Sequence, residues 1–191
     1  DPLWSRGLGD VYKRQLPVLN ESCIPKRCKA SEDEAYIDII RKVKSCDEKV
    51  TLLFTGPLTD LAKAIKYDNS ILKNIEKLVW MGGTFLDKGN VEEPEHDGTA
   101  EWNAFWDPEA VKVVLDSDMN VDIVALESTN QVPLTMEVRQ MWADKRQYLG
   151  VDFLGTSYAA VPPLTHFVTN STYFLWDVLT TAYVGSPNLV E

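Results

Sequence analysis

An α/β fold with an open, mostly parallel sheet flanked by helices is predicted by three short apolar runs that alternate with amphipathic stretches. The runs fall at residues 50–54, 78–81 and 121–126, and such short, nearly continuous apolar segments are typical of strands in a parallel sheet. Alternation of strands with helices indicates parallel connections. Ligands of such sheets bind where the strands end, so the residues that follow each run are the candidates for a site.

The helices between these strands are predicted from periodicity and from start signals. A helix over residues 32–43 places four apolar side chains on one face at the spacing i, i+3, i+4, i+7. After the first strand, Pro57 suits the first turn of a helix, because its missing N–H would have no partner there. Asp107 and Pro108 form a further helix start, with Asp107 as the N-cap. Two more helices are expected at residues 136–149, ending near Gly150, and at residues 173–183.

The first fifteen residues, DPLWSRGLGDVYKRQ, show neither helical nor strand periodicity. We interpret residues 1–15 as a non-native or disordered leader and exclude them from the fold. The domain is therefore expected to comprise residues 16–191. Composition alone leaves open that residues 1–15 are an ordinary disordered terminus.

The composition is that of an acidic globular chain. Hydrophobic residues make up 45% and charged residues 25%, which argues against disorder. The net charge of -10 opposes binding to nucleic acid, and no apolar run approaches the ~20 residues of a membrane span. The three cysteines and two histidines are spaced irregularly, which predicts neither a disulfide framework nor a zinc site. Since no signal peptide is evident, we expect a cytoplasmic protein.

The turns after the first two strands contain the first candidate site residues. Thr55 begins the sequence TGPLT, where Gly56 lets the backbone turn sharply or approach a ligand. Met81 is followed by two glycines, and Asn90 comes soon after them. Each segment, taken alone, is also what an ordinary strand-to-helix turn contains.

Polar side chains among apolar neighbours supply the remaining candidates. If residues 100–104 are extended, Glu101 and Asn103 project to the same side, and a carboxylate beside an amide suits a polyhydroxylated ligand such as a sugar. Asp177 ends the aromatic sequence YFLWD, where a buried carboxylate would need a partner or a metal ion. The alternatives are a polar loop that caps the helix at Asp107 and an amphipathic helix with an exposed Asp177.

Taken together, these segments resemble the inosine-uridine nucleoside hydrolase family. TGPLT, MGG, AEWN followed by DPEA, STNQVPLT and WDVLT occur in the order and spacing of the family's signatures, from about residue 16 to the end. Each motif is weak by itself, whereas their joint order is specific. The resemblance implies the nucleoside hydrolase fold with its Rossmann-like core, incomplete here, and hydrolysis of ribonucleosides to free base and ribose with one bound Ca²⁺.

The resemblance also implies a role for each candidate residue. Calcium would be bound by the backbone carbonyl of Thr55 and the carboxylate of Asp177, which are both hard oxygen ligands. The calcium ion would chelate the ribose diol and orient a water, and an aspartate would act as base. The sugar would pass through an oxocarbenium-like state. Asn103 is a candidate catalytic residue for this step. The ribose would be held by three polar side chains with one apolar neighbour: Asn90, Glu101, Asn103 and Met81.

Two positions resemble the purine-specific subgroup of the family. Trp176 stands where broad-specificity members commonly have a His before the calcium-binding Asp, and Trp102 replaces the commoner Phe of AEFN. A ring stacked on the base would stabilise a purine that is gaining a proton, so Trp176 is a candidate catalytic residue. Trp102 and Tyr173 would line the same base pocket. His166 is a candidate for a mobile loop over the site, although a lone His is usually structural.

Two parts of the family pattern are expected to be missing from the domain at residues 16–191, the N-terminal Asp cluster and the C-terminal end. The N-terminal DxDxGxDD cluster, which carries most of the calcium carboxylates and the base, is absent, so we expect a truncated fragment that does not itself hydrolyse nucleosides. The expected partner is a small-molecule purine ribonucleoside, and a homo-oligomer is compatible with the family. The alternatives are a non-catalytic nucleoside- or ribose-binding homologue of the same fold and a dinucleotide-binding domain, which the lack of GxGxxG after any strand disfavours.

Overall fold

The computed structural model describes residues 31–159 and 173–189, which belong to two compact units. Among the described residues, the sheet unit comprises 31–132 and 175–189, and the second unit comprises 133–159 and 173–174. The predicted leader at residues 1–15 and the predicted loop residue His166 lie outside the described residues. Both therefore stay predictions.

The sheet unit contains a parallel sheet flanked by helices, which confirms the predicted fold class. Three strands form this sheet: β1 (Val50–Phe54), β2 (Ile75–Met81) and β3 (Val121–Val124). They lie in the order β1-β2-β3, and both neighbouring pairs are parallel. Phe54 pairs with Trp80 and Met81 pairs with Val124, so the carboxyl ends of the strands meet at one edge. The residues that follow each strand are thereby brought to that edge.

The helices confirm the alternating pattern and shift several predicted bounds. In chain order they are α1 (Ala35–Ser45), α2 (Thr59–Tyr67), α3 (Trp102–Trp106), α4 (Pro108–Leu115), α5 (Leu126–Thr129), α6 (Met136–Asp144), α7 (Leu149–Ala159) and α8 (Trp176–Gly185), with 3-10 turns at Asn69–Asn74 and Pro187–Leu189. In the residues described, no helix is long and apolar enough to cross a membrane.

The core of the sheet unit packs α1, α2 and α4 against β1 and β2. Leu58, Leu61, Leu78 and Val114 have no exposed surface, and Trp80 is 1% exposed. Complete burial of one such aliphatic side chain contributes roughly 1.5–3 kcal/mol. The apolar faces that predicted these helices are therefore the faces that hold the unit together.

β1 is not the strand buried on both faces that its sequence predicts. Val50, Leu52 and Phe54 pack against the core, whereas Thr51 is exposed and Leu53 is 38% exposed. The core helices cover only the face of β1 that carries Val50, Leu52 and Phe54. Successive residues of the strand therefore alternate between the core and solvent. An apolar run thus predicted the strand correctly and its burial incorrectly.

The second unit corrects two predicted helices. The stretch 136–149 is not one helix, because α6 ends at Asp144 and α7 begins at Leu149, which places Gly150 in a first turn. Tyr148 starts the new helix by accepting backbone bonds at 3.0 Å from Val151 and Asp152. The predicted helix at 173–183 begins later, at the first residue of α8, because Phe174 forms an antiparallel bridge with Pro133.

Candidate active site

Glu101 is a buried carboxylate that caps α3. Its side chain is 2% exposed, and Oε2 accepts hydrogen bonds from the backbone N–H groups of Gly83 at 2.9 Å, Asn103 at 2.9 Å and Ala104 at 3.1 Å. Gly83 reaches this position with a φ of 73°, which favours glycine. Burial raises the pKa of Glu101, and the backbone donors oppose that rise. The site thus contains a desolvated carboxyl group in a fixed orientation.

Asn103 joins α3 to the end of β2. It is 5% exposed, and its Nδ2 donates to the carbonyl oxygen of Met81 at 3.0 Å and lies 3.3 Å from the sulfur of Met81. The expectation that residues 100–104 are extended is wrong, because Asn103 lies in α3 and Glu101 is its extended N-cap. Both polar side chains are nevertheless buried, since the cap folds Glu101 back over the first turn of the helix.

Asn90 is held against the start of the same helix. Its Oδ1 accepts the backbone N–H of Trp102 at 3.0 Å, and its own N–H donates to the carbonyl of Ala100 at 2.9 Å. The backbones approach so closely here that a side chain at Gly89 would meet the Ala100 carbonyl oxygen at 1.9 Å. The ring of Trp102 makes edge contacts with Phe105, at 5.7 Å between centroids, on its own helix.

Asp177 lies in the first turn of α8, and Trp176 is the first residue of that helix. Burial, and after it the negative charge of Glu101, raise the pKa of Asp177 to about 6. The indole Nε1 of Trp176 donates to Oδ1 of Asn130 at 3.3 Å. The structure therefore places a second partly desolvated carboxylate, and an aromatic ring next to it, near Glu101.

The structure confirms the predicted helix start at Asp107 and corrects the one at Pro57. Asp107 is the N-cap of α4, accepting the backbone N–H of Ala110 at 3.0 Å and the hydroxyl of Thr59 at 2.5 Å. Pro57, in contrast, precedes α2, whose first residue is Thr59. The carbonyl of Gly56 accepts the indole N–H of Trp80 at 3.0 Å, which fixes the turn to β2.

The loop after β2 is attached to the turn after β3 by Glu127. One carboxylate oxygen of Glu127 accepts the backbone N–H groups of Phe85 and Leu86, each at 3.0 Å, and the hydroxyl of Thr84. Burial acts to raise the pKa of Glu127, but the bonds from Thr84 and the backbone leave it below its usual value. A cavity of about 320 Å³ separates loop and turn and is lined by Leu86, Lys88, Gly89, Leu126, Glu127 and Asn130.

The predicted site residues are partly brought together. Asn103 contacts both Glu101 and Met81. Asn90 accepts the N–H of Trp102 next to them, and the charges of Glu101 and Asp177 interact. Thr55 follows β1 at the same sheet edge. Tyr173 belongs to the second unit, where its ring lies 5.6 Å from that of Tyr158.

Two residues at this edge, Glu127 and Asn130, were not among the sequence candidates. The available signal was their position, since they follow β3 in the segment ESTNQ. The rule that ligands bind after the strands of a parallel sheet applies to the third strand as it does to the first two.

The oxygen donors of this edge fit a hard cation in their chemistry but not in their number. Two desolvated carboxylates that repel each other, Glu101 and Asp177, form an environment that a bound cation would stabilise. In the part of the chain that the structure describes, no group of three or more His, Cys, Asp or Glu could hold a metal ion. Calcium takes roughly six to eight oxygen ligands, so these residues could supply only part of its coordination.

Comparison with known proteins gives matches of one kind. A family model described as inosine-uridine preferring nucleoside hydrolase matches residues 5–191. Uridine nucleosidase 1 of Arabidopsis thaliana is 39% identical over 129 residues, which cover 68% of this chain and 34% of the plant protein.

Two solved structures extend the comparison to the fold. The inosine-uridine preferring nucleoside hydrolase from Bacillus anthracis is 53% identical, with a TM-score of 0.78 over 91% of this chain and 54% of that chain. The purine-preferring ribonucleoside hydrolase from Gardnerella vaginalis is 28% identical, with a TM-score of 0.69 over 86% of this chain and 51% of that chain. The chain thus spans 34% to 54% of the lengths of these three relatives.

Proposed function

Because the chain belongs to the inosine-uridine preferring nucleoside hydrolase family, we propose that it forms part of an enzyme that hydrolyses the N-glycosidic bond of purine ribonucleosides. The observation that carries this proposal is the contact of Asn103 with both Glu101 and Met81 at the carboxyl edge of the sheet, with Asp177 nearby. The matched relatives include a uridine nucleosidase and a purine-preferring hydrolase, so the base preference rests on individual residues.

Ribose is the part of the substrate that these polar groups suit best. The Nδ2 of Asn103 is used by Met81, so its Oδ1 can accept from a hydroxyl, whereas the Oδ1 of Asn90 is used by Trp102, so its Nδ2 can donate. Glu101 is an acceptor oriented by backbone N–H groups. Donors and acceptors of fixed direction are what a ring with several hydroxyl groups requires.

The carbonyl of Thr55 and the carboxylate of Asp177 would hold Ca²⁺, together with ligands from elsewhere in the enzyme. Both are hard oxygen donors. Thr55 follows β1 at the carboxyl edge of the sheet, and Asp177 lies near Glu101. When bound, Ca²⁺ would chelate the ribose diol and orient the attacking water. The raised pKa of Asp177 supports this assignment, since a desolvated carboxylate gains most from a cation.

The chemical step proposed is a substitution at the anomeric carbon. Water adds to that carbon as its bond to the base nitrogen breaks, and the bonding electrons and a proton go to the base. The sugar becomes positively charged in the transition state, so negative carboxylates at Glu101 and Asp177 would stabilise it. Asn103 would hold the sugar in the reactive orientation.

Purine specificity is proposed from Trp176. Trp176 is the first residue of α8 and precedes Asp177. The residue is half-buried, so part of its surface is exposed to a ligand. A stacked ring would favour a purine that is gaining a proton. Trp102 is proposed as a further wall of the base pocket. The setting proposed is cytoplasmic nucleoside salvage by a homo-oligomer, and the exposed free thiol of Cys46 is compatible with a reducing compartment.

Kinetics of a family-length enzyme, in which this chain is joined to the flanking segments of a family member, test the proposal. Inosine should be hydrolysed with a higher kcat/KM than uridine, and Glu101→Gln should reduce kcat/KM for both. Glu95→Gln changes an exposed acid and is the matched control. Faster uridine hydrolysis would refute the purine assignment. Full activity of Glu101→Gln would refute the ribose site, and nucleoside binding without hydrolysis would favour a non-catalytic binding protein.

A further inference from the structure

The ring of Trp176 is hydrogen-bonded to Asn130, a residue outside the proposed substrate contacts. Its indole Nε1 donates to Oδ1 of Asn130 at 3.3 Å. Nε1–H is the only hydrogen-bond donor of an indole. A bond at that atom selects one direction for the ring edge and thereby fixes the ring plane, which is the property that stacking on a flat base depends on.

Asn130 belongs to a turn that is itself firmly placed. The backbone N–H of Asn130 donates to the carbonyl of Leu126 at 2.8 Å, and Asn130 is the C-cap of α5. The N–H of Leu126 donates to the carbonyl of Gly83 at 3.0 Å. Leu126 is 2% exposed and Thr129 has no exposed surface. The amide of Asn130 is therefore presented from a rigid element, although its own side chain is exposed.

The backbone of Trp176 is fixed as well. The preceding residue, Leu175, is 4% exposed and donates to the carbonyl of Val132 at 2.8 Å. The carbonyl of Trp176 accepts the hydroxyl of Thr180 at 3.0 Å, and Thr180 has no exposed surface. With both backbones held, the Trp176 side chain can still rotate about χ1 and χ2, and the bond to Asn130 restricts both rotations.

We propose that Asn130 is a positioning residue that sets the ring plane of Trp176 for the nucleoside base, an inference that rests on the proposed role of Trp176. Asn130 also lines the cavity between the loop after β2 and the turn after β3. Asn130 therefore contacts the ring of Trp176 and also lines that cavity. A base stacked on that ring would meet a ring plane that is already set, which lowers the entropy lost on binding.

The contact itself is tested on the 191-residue chain without ligand. In a two-dimensional ¹⁵N–¹H spectrum, Trp176→Phe assigns the indole resonance of Trp176. Asn130→Ala should move that resonance and speed its exchange with water, whereas Asn130→Asp, which keeps an acceptor, should restore slow exchange. Gln131→Ala is the matched control, since Gln131 lies on the same turn and bonds the carbonyl of Glu127 at 3.2 Å. An indole resonance and exchange rate unchanged in Asn130→Ala would overturn the inference.

The consequence for the base is tested in the family-length enzyme. Asn130→Ala should lower kcat/KM for inosine by about two- to tenfold, the factor that one net hydrogen bond provides, while the inhibition constant of free ribose stays unchanged. Asn130→Asp should recover most of the loss. An equal loss in Gln131→Ala, or an equal weakening of ribose, would overturn the positioning role. Unchanged inosine turnover in Trp176→Ala would instead refute the proposed stacking, and the spectrum would still report on the contact.

Discussion

The carboxylates of Glu101 and Asp177 lie close enough for the charge of Glu101 to raise the pKa of Asp177, although the two residues stand at the starts of different helices, α3 and α8. Each carboxylate is also desolvated, which raises both pKa values. Two like charges in a poorly solvated setting destabilise the folded chain unless a proton or a cation is shared with them. Binding of a cation or a proton at the site would therefore remove this destabilisation.

The first prediction is that Asp177→Asn stabilises the metal-free chain at neutral pH and not at acidic pH. The folded-state pKa of Asp177 is about 6 against 3.8 without the fold, so the folded state binds more protons between these values. Stability must then fall as the pH rises through this window. Urea unfolding of variant and wild type in EDTA, at about pH 4 and about pH 7.5, measures the difference.

The matched control for this prediction is Asp87→Asn, which changes an exposed loop carboxylate. Its difference from wild type should be small at both pH values. Equal effects of Asp177→Asn at the two pH values would show that the pKa of Asp177 is not raised in the folded chain.

The second prediction concerns the link between TGPLT and DPEA. Asp107→Ala removes the N-cap bond to Ala110 and the acceptor for Thr59. The free energy of unfolding should fall by about 1–2 kcal/mol, the usual cost of losing a helix cap. Asp107→Asn should retain most of the stability because Asn is also a good cap.

Asp116→Ala is the control for this loss of stability. Asp116 lies at the other end of α4, where it pairs with Lys112 at 2.5 Å on the exposed surface. Such a pair contributes less than about 1 kcal/mol. If both alanine variants are equally stable, the Asp107 bonds do not hold α2 and α4 together.

The sequence predicted the fold better than it predicted the environment of the site. Short apolar runs located β1, β2 and β3, and Asp107 marked a helix start, because these signals depend on neighbouring residues alone. The exposure of Leu53 depends instead on which face the core helices cover. No local pattern contains that information.

The same distinction applies to the candidate site. Glu101 and Asn103 could be singled out from their spacing, but their geometry was predicted as extended and is that of a helix cap. The raised pKa of Asp177 depends on Glu101, and the ring of Trp176 is bonded to Asn130, both across long separations in the chain. Such contacts arise only when the strands and helices meet at the sheet edge.

The third prediction is that the 191-residue chain hydrolyses no nucleoside by itself. The sequence has no DxDxGxDD cluster, and calcium requires roughly six to eight oxygen ligands, more than Thr55 and Asp177 offer. Release of base from inosine in the presence of calcium is the assay, with the family-length enzyme as the positive control. Turnover well above the uncatalysed rate would contradict the proposal that ligands from elsewhere in the enzyme complete the calcium site.

The last prediction separates stacking from packing at Trp176. In the family-length enzyme, Trp176→His should lower purine turnover while leaving ribose binding unchanged, because the proposed ribose contacts, Asn90, Glu101 and Asn103, are not altered. An aromatic stack contributes about 0.5–1.5 kcal/mol, which corresponds to a two- to tenfold effect. If the stack strengthens as the base gains a proton, the loss falls on the transition state and lowers kcat rather than raising KM.

Thermal unfolding on the same preparations distinguishes this from a packing role. Trp176 is half-buried, and if its ring stacks on the base rather than packing the fold, its replacement should change stability little. Trp176→Phe retains an aromatic ring and should keep more of the purine turnover than Trp176→His does. A destabilised Trp176→His variant with unchanged kcat on inosine would mean that the ring packs the fold, and the purine-specific assignment would then lose its main support.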